Sequence, residues 1–186
     1  PLPAPGGDAP NVVTATSFLK AFNDGRLKHV GKRVVVVGGG DTSIDVATVA
    51  RRLGHIENPK PTDFPENVIG GHLAHDVASV SAKQGAEVTL TSVFNVDKMQ
   101  ANKHEIEQAL AEGITIRGSL APVGIVRGAD GRATALRVSE REAKMAGAID
   151  QAEPEDGVVF AEEAIGQPAA EQREKVNADD EGMKHM

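Results

Sequence analysis

The chain has 186 residues, a net charge of −7, no cysteine, and five Phe as its only aromatics. That length suits one domain whose core needs no disulfide or metal, and the missing thiols exclude disulfides, thiolate catalysis and cysteine-ligated zinc or iron–sulfur clusters. The acidic balance and scarce rings argue against nucleic acid as a partner, and no apolar run approaches the ~20 residues of a membrane span.

Residues 1–13 open with Pro1-Leu2-Pro3-Ala4-Pro5-Gly6-Gly7-Asp8-Ala9-Pro10. Fixed-φ prolines and permissive glycines read as an inter-domain linker. This is expected of a chain that begins at a domain boundary inside a longer protein; a native terminus without its initiator Met is the alternative. Thr14 to Asn23 is expected as a short amphipathic helix, with Phe18, Leu19 and Phe22 at helical spacing and Gly25 as its stop. The four valines Val34 to Val37 read as a strand buried on both faces. Gly38-Gly39-Gly40 follows, and Asp41 to Leu53 reads as a helix with Ile44, Ala47, Ala50 and Leu53 on one face. Arg51 and Arg52 complement its dipole, and Gly54 caps it.

Residues 55–71 are polar and rich in Pro and Gly, and read as a loop. A helix is expected from Leu73 to Gln84 and a strand from Glu87 to Val93. A further helix follows from Ala101 to Glu112, with Ile106, Ala109 and Leu110 inward, and then a short strand at Ile114 to Ile116. Val123 to Arg127, a turn at Gly128 to Gly131, and Ala133 to Ser139 form an antiparallel hairpin. Residues 150–156 are acidic and loop-like, Val158 to Phe160 begin a last extended segment, and 169–186 are a polar tail. Strands alternating with helices predict an α/β fold: a Rossmann-like parallel sheet with helices on both faces. The hairpin is an antiparallel addition near its C-terminal end. The nucleotide-binding domain is expected to span 14–168, with an insertion at about 55–84.

The chemistry sits in the glycine turn. A lone Gly-x-Gly string is weak evidence, but here a buried strand precedes it and a helix follows. Gly38 permits the turn, Gly40 leaves room for a pyrophosphate, and Ser43 is the small residue that lets helix and strand pack closely. Amide hydrogens at the helix start then face the phosphates. Thr42 offers a hydroxyl; Asp41 suits the helix terminus but repels a phosphate that comes too near. The plain alternative is a strand–helix turn and nothing more. His72, His75 and Asp76 lie within one helical turn, but such clusters are more often a solvated face than a metal site. Asp45 either orients backbone or nicotinamide groups or is merely structural. Lys103, His104 and Glu105 form no acid–base constellation, and no nucleophile elbow is present. The chemistry expected is therefore hydride transfer by cofactors, with no catalytic side chain assigned.

Val34-Val35-Val36-Val37-Gly38-Gly39-Gly40-Asp41-Thr42-Ser43-Ile44-Asp45 resembles the signature of the glutamate synthase small-subunit family, FAD-containing NAD(P)H oxidoreductases. Met99, Glu105 and Ala109-Leu110-Ala111-Glu112-Gly113-Ile114 resemble its next motif. Pro5-Gly6-Gly7-Asp8 and Ala164-Ile165-Gly166-Gln167-Pro168 resemble its crossings out of and back into a flavin domain. The resemblance covers residues 1 to 168. It implies a cytoplasmic domain that binds NAD(P)H through Gly38, Gly39, Gly40, Asp41, Thr42 and Ser43, with Gly166 near the nicotinamide end. It also implies FAD only in a flavin domain outside this chain, which alone is then not active. Electrons would pass to an iron–sulfur or large-subunit acceptor. Val93 and Phe94 stand where the family carries an Arg pair able to clamp the 2′-phosphate of NADPH, which favours NADH. The alternative is a non-catalytic nucleotide-binding or partner-docking module that has kept the fold.

Overall fold

In a computed structural model that describes residues 2–72 and 84–140, and the backbone of 157–161, the four-valine run is the middle of a five-stranded sheet. The elements are β1 (Val12–Thr14), α1 (Ala15–Asn23), β2 (Arg33–Val37), α2 (Asp41–Leu53), α3 (Pro65–Ile69), β3 (Glu87–Thr91), α4 (Lys103–Ala111), β4 (Thr115–Arg117), β5 (Leu120–Arg127), β6 (Ala133–Glu140) and β7 (Gly157–Ala161). The sheet order is β1-β7-β2-β3-β4. β2, β3 and β4 are parallel, with Val34 opposite Val88 and Leu90 opposite Ile116. β7 lies antiparallel to β2 on its other side and carries β1 at the edge, a mixed order that strand–helix alternation does not disclose.

The valines alternate as a pleated strand must. Val34 and Val36 enter a core with Phe18, Ile44, Val46, Ala47, Val88, Leu90 and Ile106, under α1, α2 and α4. Val35 and Val37 enter a second core with Leu2, Ala9, Val12, Leu120, Leu136 and Val138. Thus the α/β class and the parallel strands stand as expected, but the second face carries a different cover. The described helices pack on one face; the hairpin and the segment before β1 cover the other. The hairpin is also a sheet of its own rather than an addition to the large one. After β4 the chain turns out of the sheet plane at Gly118-Ser119, where Ser119 has φ 59°. Leu120, Leu136 and Val138 then point down onto Val35 and Val37.

Three further expectations need correction. Residues 2–11, read as a linker, are packed: Leu2 and Ala9 are buried, and Asn11 exchanges two hydrogen bonds with the Ala133 backbone, at 2.9 and 2.7 Å. Their prolines and glycines shape turns, such as Leu2 N–H to Gly7 O, rather than a solvated tether. The loop at 55–71 contains a 3₁₀ turn, Pro61–Asp63, and α3, each started by a proline at its first position, where a missing N–H costs nothing. Leu110, expected inward, is 49% exposed, because the inward stripe of α4 runs through Ile106 and Ala109. The helix expected over 73–84, the last segment beyond Ala161 and the tail at 169–186 lie outside the described residues, except for Gln84.

Candidate functional site

The glycine turn joins the C-terminal end of β2 to the first turn of α2, whose bounds are the ones its sequence pattern predicts. Gly38 N–H is still held by the Thr91 carbonyl, so the turn begins at the sheet edge itself. Gly39 is a close approach: a Cβ there would lie 2.7 Å from Ser92 Oγ and 3.7 Å from Phe94 Cδ2. Gly40 is different. Its φ of −97° and ψ of 178° suit any residue, and a Cβ would meet no atom of the described residues within 4 Å. No described residue fills the space over position 40, so the backbone there is open to the outside.

Gly40 caps α2 without a side chain. Among the described residues no group accepts from the amide hydrogens of Gly39, Gly40, Asp41 or Thr42, whereas Ser43 N–H and Ile44 N–H reach Gly40 O. Four successive donors with no acceptor among the described residues, at the positive end of a 13-residue helix, are the kind of group that suits an anion. Thr42 is exposed beside them. Ser43 is fully buried and its Oγ has no partner, so its side chain lies in the helix–strand seam rather than facing a ligand. Asp41 is exposed, but its Oδ1 accepts from Asn102 N–H at 2.9 Å and is thereby drawn sideways toward the loop before α4.

β3 ends at Thr91, so Val93 and Phe94 lie on the following loop and not in the strand. Ser92, 1% exposed, turns the chain by accepting Phe94 N–H on its hydroxyl at 3.1 Å. Val93 and Phe94 are both half-buried, and Phe94 lies against Gly39. The structure therefore brings together Gly38 to Ser43 and the 92–102 loop. Sequence reasoning missed Ser92 and Asn102. Asn102-x-x-Glu105 was a readable helix-start signature; no local signal marks Ser92.

Other candidates fall away from this turn. Asp45 is exposed on α2, and Lys103 and His104 are exposed on α4. His72 is exposed and bonds the Asn67 carbonyl at 3.1 Å; His75, Asp76 and Gly166 lie outside the described residues. Among the described residues no group of three His, Asp or Glu is placed to hold a metal ion, and no helix is long and apolar enough to cross a membrane. At the far end of α2, Arg52 makes a two-pronged bond to Glu112, at 2.6 and 3.1 Å. That guanidinium holds the Glu112 carboxyl below its ordinary range. Arg51 beside it donates to the Glu112 and Ala86 carbonyls, at 3.0 and 2.8 Å, tying α2, α4 and β3 together.

No protein-family model matches the chain. It is 31% identical over 141 residues to the ferredoxin–NADP reductase of Ignicoccus hospitalis, covering 76% of this chain and 33% of that protein. A putative glutamate synthase [NADPH] small chain of Cereibacter sphaeroides is 45% identical over 62 residues, covering 28% of this chain and 15% of the relative. The crystal structure of T. acidophilum thioredoxin reductase superposes with a TM-score of 0.43 at 14% identity, over 89% of this chain and 39% of that one. The chain thus spans a third or less of the curated relatives it matches.

Proposed function

We propose that this chain is a nucleotide-binding domain of the FAD-dependent pyridine nucleotide oxidoreductase family, the reading its similarity to those relatives supports, and that it presents NADH to a flavin held outside residues 1–186. The observation that carries the reading is the run of four free amide hydrogens, Gly39 to Thr42, beneath the open face of Gly40. These donors would hold the pyrophosphate, with the Thr42 hydroxyl beside them. An anion at a helix start gains roughly 0.3–1 kcal/mol from the dipole, and up to ~2 kcal/mol when partly buried. Ser43, by packing flat against the strand, lets the helix start come close enough to serve. Phe94, beside Gly39, would wall the cradle on the β3 side, with Val93 next to it in the chain. When bound, the cofactor supplies the hydride; the chain supplies placement and no acid or base. We place Gly166 at the nicotinamide end, on the resemblance of residues 164–168 alone. The acceptor beyond the flavin would be an iron–sulfur or large-subunit partner, on the resemblance to the glutamate synthase small-subunit family alone.

The preference for NADH rests on Val93 and Phe94, which offer no cation for a 2′-phosphate. The test is calorimetric titration of the chain with NADH and NADPH separately. Saturable NADH binding, at least about tenfold tighter than NADPH, is expected, since one lost charge-assisted phosphate contact is worth about that. Tighter NADPH binding would overturn the preference and point to exposed Arg117, which pairs with Thr91 at the end of β3. If neither nucleotide bound at millimolar concentration, the chain would be a non-catalytic module that has kept the fold.

A further inference from the structure

An acidic residue in the first turn of α2 is at odds with an anion cradle. Asp41 contributes one of the four free amides while carrying a carboxylate one residue from the open face of Gly40. Its side chain explains the conflict. Asp41 Oδ1 accepts Asn102 N–H at 2.9 Å, and next to it Ala101 N–H donates to Gly39 O at 3.0 Å. Two bonds therefore stitch the loop before α4 to the glycine turn. That same loop includes Phe94, which lies against Gly39.

Glu105 shows that the stitch displaces a local alternative. Asn102 is the N-cap of α4, its own Oδ1 accepting His104 N–H at 2.9 Å. In the usual capping box the side chain three residues on returns to the N-cap amide. Here that side chain is Glu105, yet its Oε2 is buried with no partner among the described residues. Asp41, from another element, holds the amide that Glu105 would take.

We propose that Asp41 is a positioning residue: its carboxylate latches the 92–102 loop onto the glycine turn and builds the wall of the nucleotide cradle before the nucleotide arrives. The latch turns the charge of Asp41 away from the phosphate site and spends it on the Asn102 amide. This rests on the nucleotide reading above but concerns a residue whose role that reading leaves open.

Asp41→Asn and Asp41→Ala separate the latch from simple charge. Both remove the negative charge near the pyrophosphate; only Asn keeps an Oδ1 able to accept from Asn102. The first measurement is NADH titration of the full chain and both variants. The second is amide hydrogen exchange without nucleotide, read at Ala101, because Glu105 can recapture the Asn102 amide but nothing local can replace Gly39 O. Asp41→Asn should bind NADH at least as tightly as the parent and keep Ala101 protected. Asp41→Ala should bind about three- to tenfold more weakly, the worth of one hydrogen bond, and exchange Ala101 faster. Equal NADH affinity in the two variants overturns the latch, since charge alone would then account for both. If the parent chain binds no NADH, the nucleotide reading fails on its own. The exchange data still decide the latch: protection lost only in Asp41→Ala supports it, and equal protection in all three chains overturns it.

Discussion

Gly39 and Gly40 are adjacent, and the structure gives them opposite duties. A side chain at 39 must displace Ser92 Oγ, 2.7 Å away and engaged with the Phe94 amide. One at 40 meets nothing among the described residues. Stability and binding should therefore separate. Gly40→Ser places a good N-cap hydroxyl among the free amides and should leave the chain as stable or a few tenths of a kcal/mol more so. The same hydroxyl occupies the donors and space a pyrophosphate needs, so NADH affinity should fall by about tenfold or more, each lost charge-assisted bond contributing. Gly39→Ala should instead lower stability by roughly 1–3 kcal/mol through overpacking. Thermal melts and calorimetric titration of the two variants check both halves. A Gly40→Ser chain that binds NADH normally would mean that the open face is not where the phosphates sit.

At the scale of elements, the sequence disclosed what local periodicity encodes. α2 was legible to the residue and the valine strand to within one, because an uninterrupted β-branched run, a helix stripe and a C-terminal Gly54 all agree. The end of β3 was not, since it is set by the Ser92 hydroxyl and by pairing with β4, neither of which leaves a spacing. The latch between Asp41 and Asn102 joins residues 61 positions apart and was invisible for the same reason. Composition also misread residues 55–71. Their polar residues serve packing: Arg132 of the hairpin donates to Glu66 of α3 at 2.8 Å and lies 4.0 Å over the Phe64 ring. Arg26, from the loop after α1, donates to Val68 O at 2.6 Å. Residues 64–68 thus tie the helical face to the hairpin face. The Glu66 side chain is only 5% exposed and that of Arg132 17%, so breaking the pair leaves a buried charge. Arg132→Ala should cost about 3–5 kcal/mol in denaturant unfolding. A cost under about 1 kcal/mol would show that the carboxylate escapes to water and that the pair does not hold α3 to the hairpin.

At the scale of the whole molecule, the described residues form three layers: helices, the five-stranded sheet, and the hairpin with the residues before β1. The third layer depends on the segment that composition presents as a tether. Ile125 N–H reaches Pro5 O at 2.8 Å, Arg127 pairs with Asp8 and also reaches Gly6 O, and Leu2 and Ala9 close the core over Val35 and Val37. A tether would contribute nothing to stability, whereas a packed segment must. Burying Leu2 alone is worth about 1.5–3 kcal/mol, and for a domain of this size each kcal/mol moves the melting temperature by roughly 2–4 °C. Removing residues 1–10 should therefore lower the melting temperature by about 5–10 °C or more, with the loss centred on the hairpin face. The glycine turn packs under α2 and the 92–102 loop, not under this segment, so a truncated chain that remains folded should bind NADH with affinity within about threefold of the parent. That limit is set by the few tenths of a kcal/mol within which distant sites are additive. An unchanged melting temperature would return residues 1–10 to the role their prolines suggest. A lost affinity at an unchanged fold would mean that the hairpin layer takes part in shaping the cradle.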